Sequence, residues 1–250
     1  MRAVGVHPDA VVVTSRLWQT TCTAIRAGGE AMLIDSPFFP DELEALPALL
    51  GQADFEISAL LATHADYDHL LGRAAYPALA LGVGQGTALR LREEPGVAQK
   101  ELRDADAEYY VERAGPLALG SYQSLPVPGY VGLGGEELEL HPAEGHTADG
   151  TAVFARWAGV LCVGDYLSDV EIPMVHDLDE YRATLARLAP LVEAADAVVP
   201  GHGSPHDRDT ALRLLDEDLD YLDGFTKLPS GRETKRQRQI HEANLKLLDR

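Results

Sequence analysis

The segment Thr63-His64-Ala65-Asp66-Tyr67-Asp68-His69 packs two histidines and two aspartates into six positions, directly after the apolar run Ile57 to Ala62. Side chains on extended backbone alternate, so His64, Asp66 and Asp68 project to one side as the chain leaves that run. His69 then opens a helical turn and approaches from another direction. Imidazoles and carboxylates converging from one tight loop suit a metal ion, which needs such donors about 2.0–2.2 Å away. Helix capping accounts for one aspartate here, not for four ionisable groups. Further donors stand where other apolar runs stop: His146 after "ELELHPAEG", Asp165 after "GVLCVG" and His202 after "AVVPG". Strand ends on one sheet edge meet in space, so these donors can complete one site. The count allows two ions, one held by His64, Asp66 and His146, the other by Asp68, His69 and His202, with Asp165 bridging. Two ions about 3.5–4 Å apart with a shared water form a clamp for hydrolytic chemistry.

Short strands and amphipathic helices must position these donors. "AVVVTS", "TCTAIRA" and "AMLID" read as a meander, the last two strands joined across Gly28 and Gly29. "SPFFPDELEALPALL" turns at its prolines and continues as a helix behind Asp41 as N-cap, with Leu43, Leu46 and Leu50 on one face. Beyond the donor loop come a helix, the strand "ALALGV" and a charged segment at 93–113, read as a helical excursion and a candidate lid. "TAVFARWAGVLCVGD" reads as a hairpin turning at Ala158–Gly159. Leu178, Tyr181, Leu185, Leu188 and Val192 share one helix face, and Leu212, Leu215, Leu219 and Leu222 share another in the helical stretch 207–250. Without a linker, repeat or low-complexity tract, residues 1–250 are expected to form one domain.

Composition narrows the partners. With 21 basic and 40 acidic side chains the net charge is −19, which disfavours nucleic acid and anionic membranes. A hydrophobic content of 46% is ample for a core. No apolar run approaches the ~18 residues of a membrane span, and "MRAVGVHPDA" lacks a signal-peptide core, so a cytoplasmic protein acting on a small-molecule substrate is expected. Cys22 and Cys162 lie in apolar, strand-like runs and read as small buried hydrophobes. "GVGQGT" lacks the spacing of a dinucleotide fingerprint and reads as a strand-to-helix turn. The basic run Arg232, Lys235, Arg236 and Arg238 reads as a solvated helix face.

Taken together, these motifs resemble those of the metallo-β-lactamase superfamily. The first, T-H-x-H-x-D-H, stands here as Thr63 to His69; the second is Gly145-His146-Thr147; a third is Gly164-Asp165, and the last is Pro200-Gly201-His202-Gly203. The resemblance implies an α+β fold, a four-layer αββα sandwich of two packed mixed β-sheets flanked by helices, with the metal site at one edge. It implies a metal-dependent hydrolase with two divalent ions, zinc first among them. A hydroxide held between the ions would attack an ester, thioester, lactone, amide or phosphoester, with Asp68 as proton acceptor. Tyr67 and Tyr166 are candidates to lean a phenol over the metals or to pack against the wall of the site. Trp18, Pro37, Phe38 and Phe39 are candidates for the pocket mouth, and the opening hairpin resembles the family's in ending at an aspartate, Asp35.

One position departs from the pattern, because Asp66 stands where the family has its second histidine. Flavodiiron proteins resemble this chain in carrying a carboxylate there, and they bind iron. Two further readings therefore stand beside the hydrolase: an iron-dependent oxidoreductase, flavodiiron-like or persulfide-dioxygenase-like, and a non-catalytic metal-binding scaffold. Asp66 also removes one positive charge relative to histidine and hardens the ligation. Manganese or iron is thus an alternative to zinc, and lower zinc selectivity is expected.

Overall fold

Strands that are apolar at every position are buried on both faces, and this chain stacks such strands into two sheets. In the computed structural model, which describes residues 1–247, the first sheet has seven strands in the order β1-β2-β3-β4-β5-β6-β7. They are β1 (Arg2–His7), β2 (Ala10–Thr14), β3 (Thr21–Ala27), β4 (Glu30–Asp35), β5 (Ile57–Ala62), β6 (Ala80–Gly84) and β7 (Tyr122–Leu125). The sheet is an antiparallel meander through β4 and parallel from β4 onward. The second sheet has six strands, ordered β13-β12-β11-β10-β9-β8. These are β8 (Gly129–Leu133), β9 (Glu136–Pro142), β10 (Thr151–Ala155), β11 (Val160–Cys162), β12 (Ala197–Val199) and β13 (His206–Asp207). Only the β11–β12 pair is parallel.

Alternation along the strands builds the layers. On β4, Met32 and Ile34 face the core between the sheets while Leu33 faces the other way; on β11, Val160 and Cys162 face that core while Leu161 does not. The outer face of the first sheet packs against α1 (Pro40–Gln52) through Leu46 and Leu50. The outer face of the second packs against α5 (Leu178–Ala194) and α6 (Arg208–Leu222). Tyr181, Leu185, Leu188 and Val192 of α5 are all buried there, each worth about 1.5–3 kcal/mol of transfer free energy. Shorter helices α2 (Gly72–Ala75), α3 (Gln85–Glu93), α4 (Val97–Tyr109) and α7 (Lys235–Leu245) cover the rims. The result is the expected αββα arrangement. Cys22 and Cys162 are free and buried. None of the helices described is long and apolar enough to cross a membrane.

Several local expectations shift. Asp41 is not the N-cap of α1: the cap is Phe39, Pro40 opens the helix, and the Glu42 carboxylate accepts from the Phe39 N–H. On α6 the buried stripe runs through Ala211, Leu214, Leu215, Asp218, Tyr221 and Leu222, so Leu215 and Leu222 lie inward as expected while Leu212 and Leu219 are only partly buried. Asp218 takes an inward place on this face, where it meets Arg232. The weakly periodic charged segment is helical over α4, whose buried face is the narrow strip Ala98, Leu102 and Ala105. Residues 207–247 contain α6 and α7, and 248–250 of the expected helical stretch lie outside the described residues.

Candidate metal centre

Four strand ends deliver the donors to one edge of the sandwich. β5 runs into the loop of His64 and Asp66 and then a 3-10 turn, Tyr67–His69, that carries Asp68. His146 follows β9, Asp165 follows β11 and His202 follows β12. The two sheets are pinned together here: the Thr21 N–H donates to Gly201 O at 2.7 Å, and the Thr151 N–H donates to Thr63 O at 2.9 Å. Glycine is required at 201, where a Cβ would collide with Asp165 Oδ1 and His69 Cε1.

Each histidine is fixed by one ring nitrogen and presents the other to the cluster. Nδ1 of His64 meets Thr63 Oγ1 at 3.0 Å, that of His69 meets Asp35 Oδ2 at 3.0 Å, that of His146 meets Met174 O at 3.0 Å, and that of His202 meets Thr20 Oγ1 at 3.4 Å. The Nε2 atoms therefore converge. His146 Nε2 and His202 Nε2 each lie 3.3 Å from Asp165 Oδ2, and His69 Nε2 lies 3.2 Å from Asp165 Oδ1. Asp66 Oδ2 is 3.7 Å from His64 Nε2 and 3.6 Å from His146 Nε2, while Asp68 Oδ2 is 3.4 Å from His202 Nε2. Donors around one tetrahedral ion are about 3.4 Å apart. The Nε2 atoms of His64, His69 and His146, with Asp165 Oδ1, are buried without hydrogen-bond partners. Orphaned buried polar atoms are costly unless something binds them, and this donor set fits divalent cations.

The donors group as the spacing anticipated: His64, Asp66 and His146 lie together, and so do Asp68, His69 and His202. Asp165 reaches both groups. Burial would lower the histidine pKa values, but the carboxylates outweigh it, holding His69 well above its ordinary value, His146 up to about 10 and His202 up to about 9. Conversely, burial would raise Asp66 and Asp165, but the histidines hold both well below the carboxylate range. Carboxylates and protonated histidines thus balance one another here, and a bound cation would take the place of those protons.

Comparison with known proteins bears on the family and the fold. The family model of the metallo-β-lactamase superfamily matches residues 15–202. The chain belongs to the metallo-β-lactamase superfamily. Among solved structures of similar fold is a metallo-β-lactamase family protein from Thermus thermophilus, with TM-score 0.67 and 18% identity over 87% of this chain and 80% of that one. Another is a metallo-β-lactamase from Pontibacter korlensis, with TM-score 0.66 and 20% identity over 88% of this chain and 98% of that one. A sec-alkylsulfatase from Pseudomonas sp. has TM-score 0.68 and 17% identity over 88% of this chain but 41% of its own. No curated protein matches the sequence.

Around the superfamily cluster, the remaining candidates divide. Tyr67 lines a cavity of about 310 Å³ above the donors, together with Trp18, Arg90, Glu101, Glu171, Met174, Arg236 and Ile240. Burial and then Asp68 push its phenol well above its ordinary value, so it keeps its proton and can donate it in a hydrogen bond. Tyr166 does not lean over the donors. Its hydroxyl donates to Glu144 O at 2.7 Å and accepts from the His146 N–H at 2.9 Å, which makes it a brace for the His146 turn. Trp18 is at the mouth, whereas Phe38 is fully buried behind Trp18 and Tyr67. α4 contributes to the wall through Glu101 and through Tyr109, whose hydroxyl accepts from Trp18 Nε1 at 3.3 Å.

The basic run is not one solvated face. Lys235 and Arg238 are exposed, but Arg232 is 1% exposed and donates to Asp218 Oδ1 at 2.6 Å and to the carbonyls of Ser168 and Glu171. Arg236 lies 3.7 Å over the Trp18 ring and 3.5 Å from Glu171. Other members of α7 also hold the 168–175 loop: Gln237 accepts from Ile172 N, and Asn244 donates to Pro173 O. Asp149, Arg90 and Glu171 are the residues that sequence reading leaves without a role, while Asp35 and Arg236 are named there but not as supports or wall of the site. Asp35 has a signal, since it ends β4 in the family's opening hairpin. Arg90 and Glu171 have none, because each meets the cluster only through the fold.

Proposed function

We propose that this chain is a metal-dependent hydrolase that binds two divalent ions, zinc first among them, and cleaves a small ester, thioester, lactone, amide or phosphoester. The observation that carries the reading is the convergence of unpartnered, buried Nε2 atoms around Asp165, each histidine steadied through its Nδ1. Bound divalent ions would supply Lewis acidity toward the scissile group and lower the pKa of a water. His64, Asp66 and His146 would hold one ion, Asp68, His69 and His202 the other, and Asp165 would join them. The Asp68 carboxylate would take the proton released by the attacking water. Tyr67, kept protonated by burial, is placed to donate to a substrate oxygen as charge develops there. A cavity of about 310 Å³ suits a small molecule and is walled partly by Trp18 and Ile240, so an apolar portion of the substrate would sit there.

The carboxylate at 66 favours one second reading, an iron-dependent oxidoreductase. Metal stoichiometry by plasma mass spectrometry, on untagged protein expressed without added metal, separates the two. About two zinc or manganese per chain, with turnover on an ester, lactone and phosphodiester panel, is the expected result. Bound iron with oxygen consumption would replace the hydrolase by the oxidoreductase. A chain that takes up no metal under any supplementation would refute both and leave a scaffold protein.

A further inference from the structure

Asp66 is the one donor that departs from the family pattern, and its surroundings differ from those of every other donor. Its two oxygens are divided. Oδ2 faces His64 Nε2 and His146 Nε2 at 3.7 and 3.6 Å, while Oδ1 accepts from Arg90 Nη1 at 2.8 Å. Arg90 stands on α3, and the same Nη1 donates to Asp149 Oδ1 at 2.8 Å. Asp149 is fixed in turn, its Oδ2 accepting from the Ala65 N–H at 2.8 Å and its carbonyl from Thr87 Oγ1 at 2.9 Å. Asp149 is buried and Arg90 mostly so, which makes this a built arrangement and not a chance surface pair.

We propose that Arg90, anchored by Asp149, is a positioning residue that restricts Asp66 to a single donor oxygen, so that the Asp66–Arg90 pair occupies the place of the family histidine. A free carboxylate can chelate through both oxygens and carries a full negative charge, which makes it a hard ligand suited to manganese or iron. With Oδ1 committed to a guanidinium, Asp66 offers one oxygen of reduced basicity, closer to an imidazole nitrogen in denticity and donor strength. Arg90 shares its charge with Asp149, so Asp66 keeps part of its own. The loss of zinc selectivity expected from aspartate at 66 is therefore largely offset from outside the donor set. The cost is dependence on α3, which contributes none of the donors.

The inference rests on the cluster being a metal centre, and a double-mutant cycle tests the two separately. Zinc and manganese affinities are measured by chelator competition for the wild type, Arg90→Met, Asp66→His and the double variant. In the wild-type background, Arg90→Met frees Oδ1 and should move the zinc-over-manganese preference toward manganese by about tenfold, in line with the usual effect of removing a ligand's supporting partner. With histidine at 66 there is no second oxygen to free, and the same substitution should change the preference less than twofold. Arg90→Lys should stay near the wild type, because both contacts are made by one nitrogen. A loss of packing alone would not produce this pattern. Should Arg90→Met fail to fold, Arg90→Gln in both backgrounds decides the question. Equal effects of the Arg90 substitution in both backgrounds would overturn the proposal while leaving the metal centre intact. A wild type that binds neither metal would overturn both.

Discussion

The two donor clusters are built by different means. Asp68, His69 and His202 are 5%, 1% and 3% exposed, and their histidines are held by Asp35 at the end of β4 and by Thr20 beside β3. These supports belong to the sheets. The cluster of His64, Asp66 and His146 includes the most exposed donor, Asp66 at 19%, and only His64 is held from a sheet, through Thr63; Asp66 and His146 are steadied from the rim, by Arg90 on α3 and by the carbonyl of Met174 in the 168–175 loop. One half of the centre is therefore supported wholly by the sheets. The other half depends in part on elements packed around it, where its surroundings can change without disturbing the fold.

Asp165 joins the halves, so its loss should erase the comparison. Asp165→Asn is expected to drop metal content below one ion per chain and to lower turnover on the order of a thousandfold or more, as measured by plasma mass spectrometry and initial rates. Full loading of that variant would contradict the bridging role. Next in size, Asp35→Asn should weaken metal binding by about 10–100-fold, chiefly through His69, which it contacts directly, and less through His64, which it reaches by way of Thr63. Titration should then show one strongly and one weakly affected class of site. Two equally weakened classes would mean that the halves act as one.

Proton linkage offers a third handle. His146 at about 10 and His202 at about 9 are raised above the ordinary histidine value, so in the metal-free protein both hold protons at pH 7. Metal must displace those protons. Affinity should therefore rise with pH from 6 toward about 9 and fall on acidification, with proton release visible as buffer-dependent heats in calorimetry. Buffer-independent heats at pH 7 would rule this out. The smallest effect concerns the mouth. Arg236→Ala removes a wall residue stacked on Trp18 and touches none of the donors, so KM should rise about fivefold with kcat within twofold. A matching fall in kcat would instead place Arg236 in the chemistry.

The donor set is legible because its members follow the ends of apolar strands, and the strands concerned, β5, β9, β11 and β12, end at the same edge. Supports that arise only from tertiary contact are not legible. Arg90 reads as one of several charges on a polar helix, and nothing local ties it to Asp66 or Asp149. The α6 stripe is only half caught by a reading in which leucines mark the inner face: Leu215 and Leu222 are buried, but the inward Asp218 is explained only by Arg232, beyond the end of the helix. Asp41 as a cap fails for a nearer reason, since Pro40 fixes the start of α1 two residues earlier, with Phe39 as the cap. Tyr166 is the wrong kind of candidate: adjacency to a donor in sequence places its ring in the packed layer behind the donor.

Synthesis on the ribosome gives the long reach of α7 a temporal meaning. The last donor, His202, emerges well before Arg232, Arg236 and Asn244 exist. Until they do, the 168–175 loop lacks its clasp, and the Met174 carbonyl that aims His146 is unsupported. A nascent chain can thus possess every cation-binding side chain while its rim-held half remains unset. α7 is then the final fastening of the 168–175 loop, and the support of His146 is the last part of the cluster to be made.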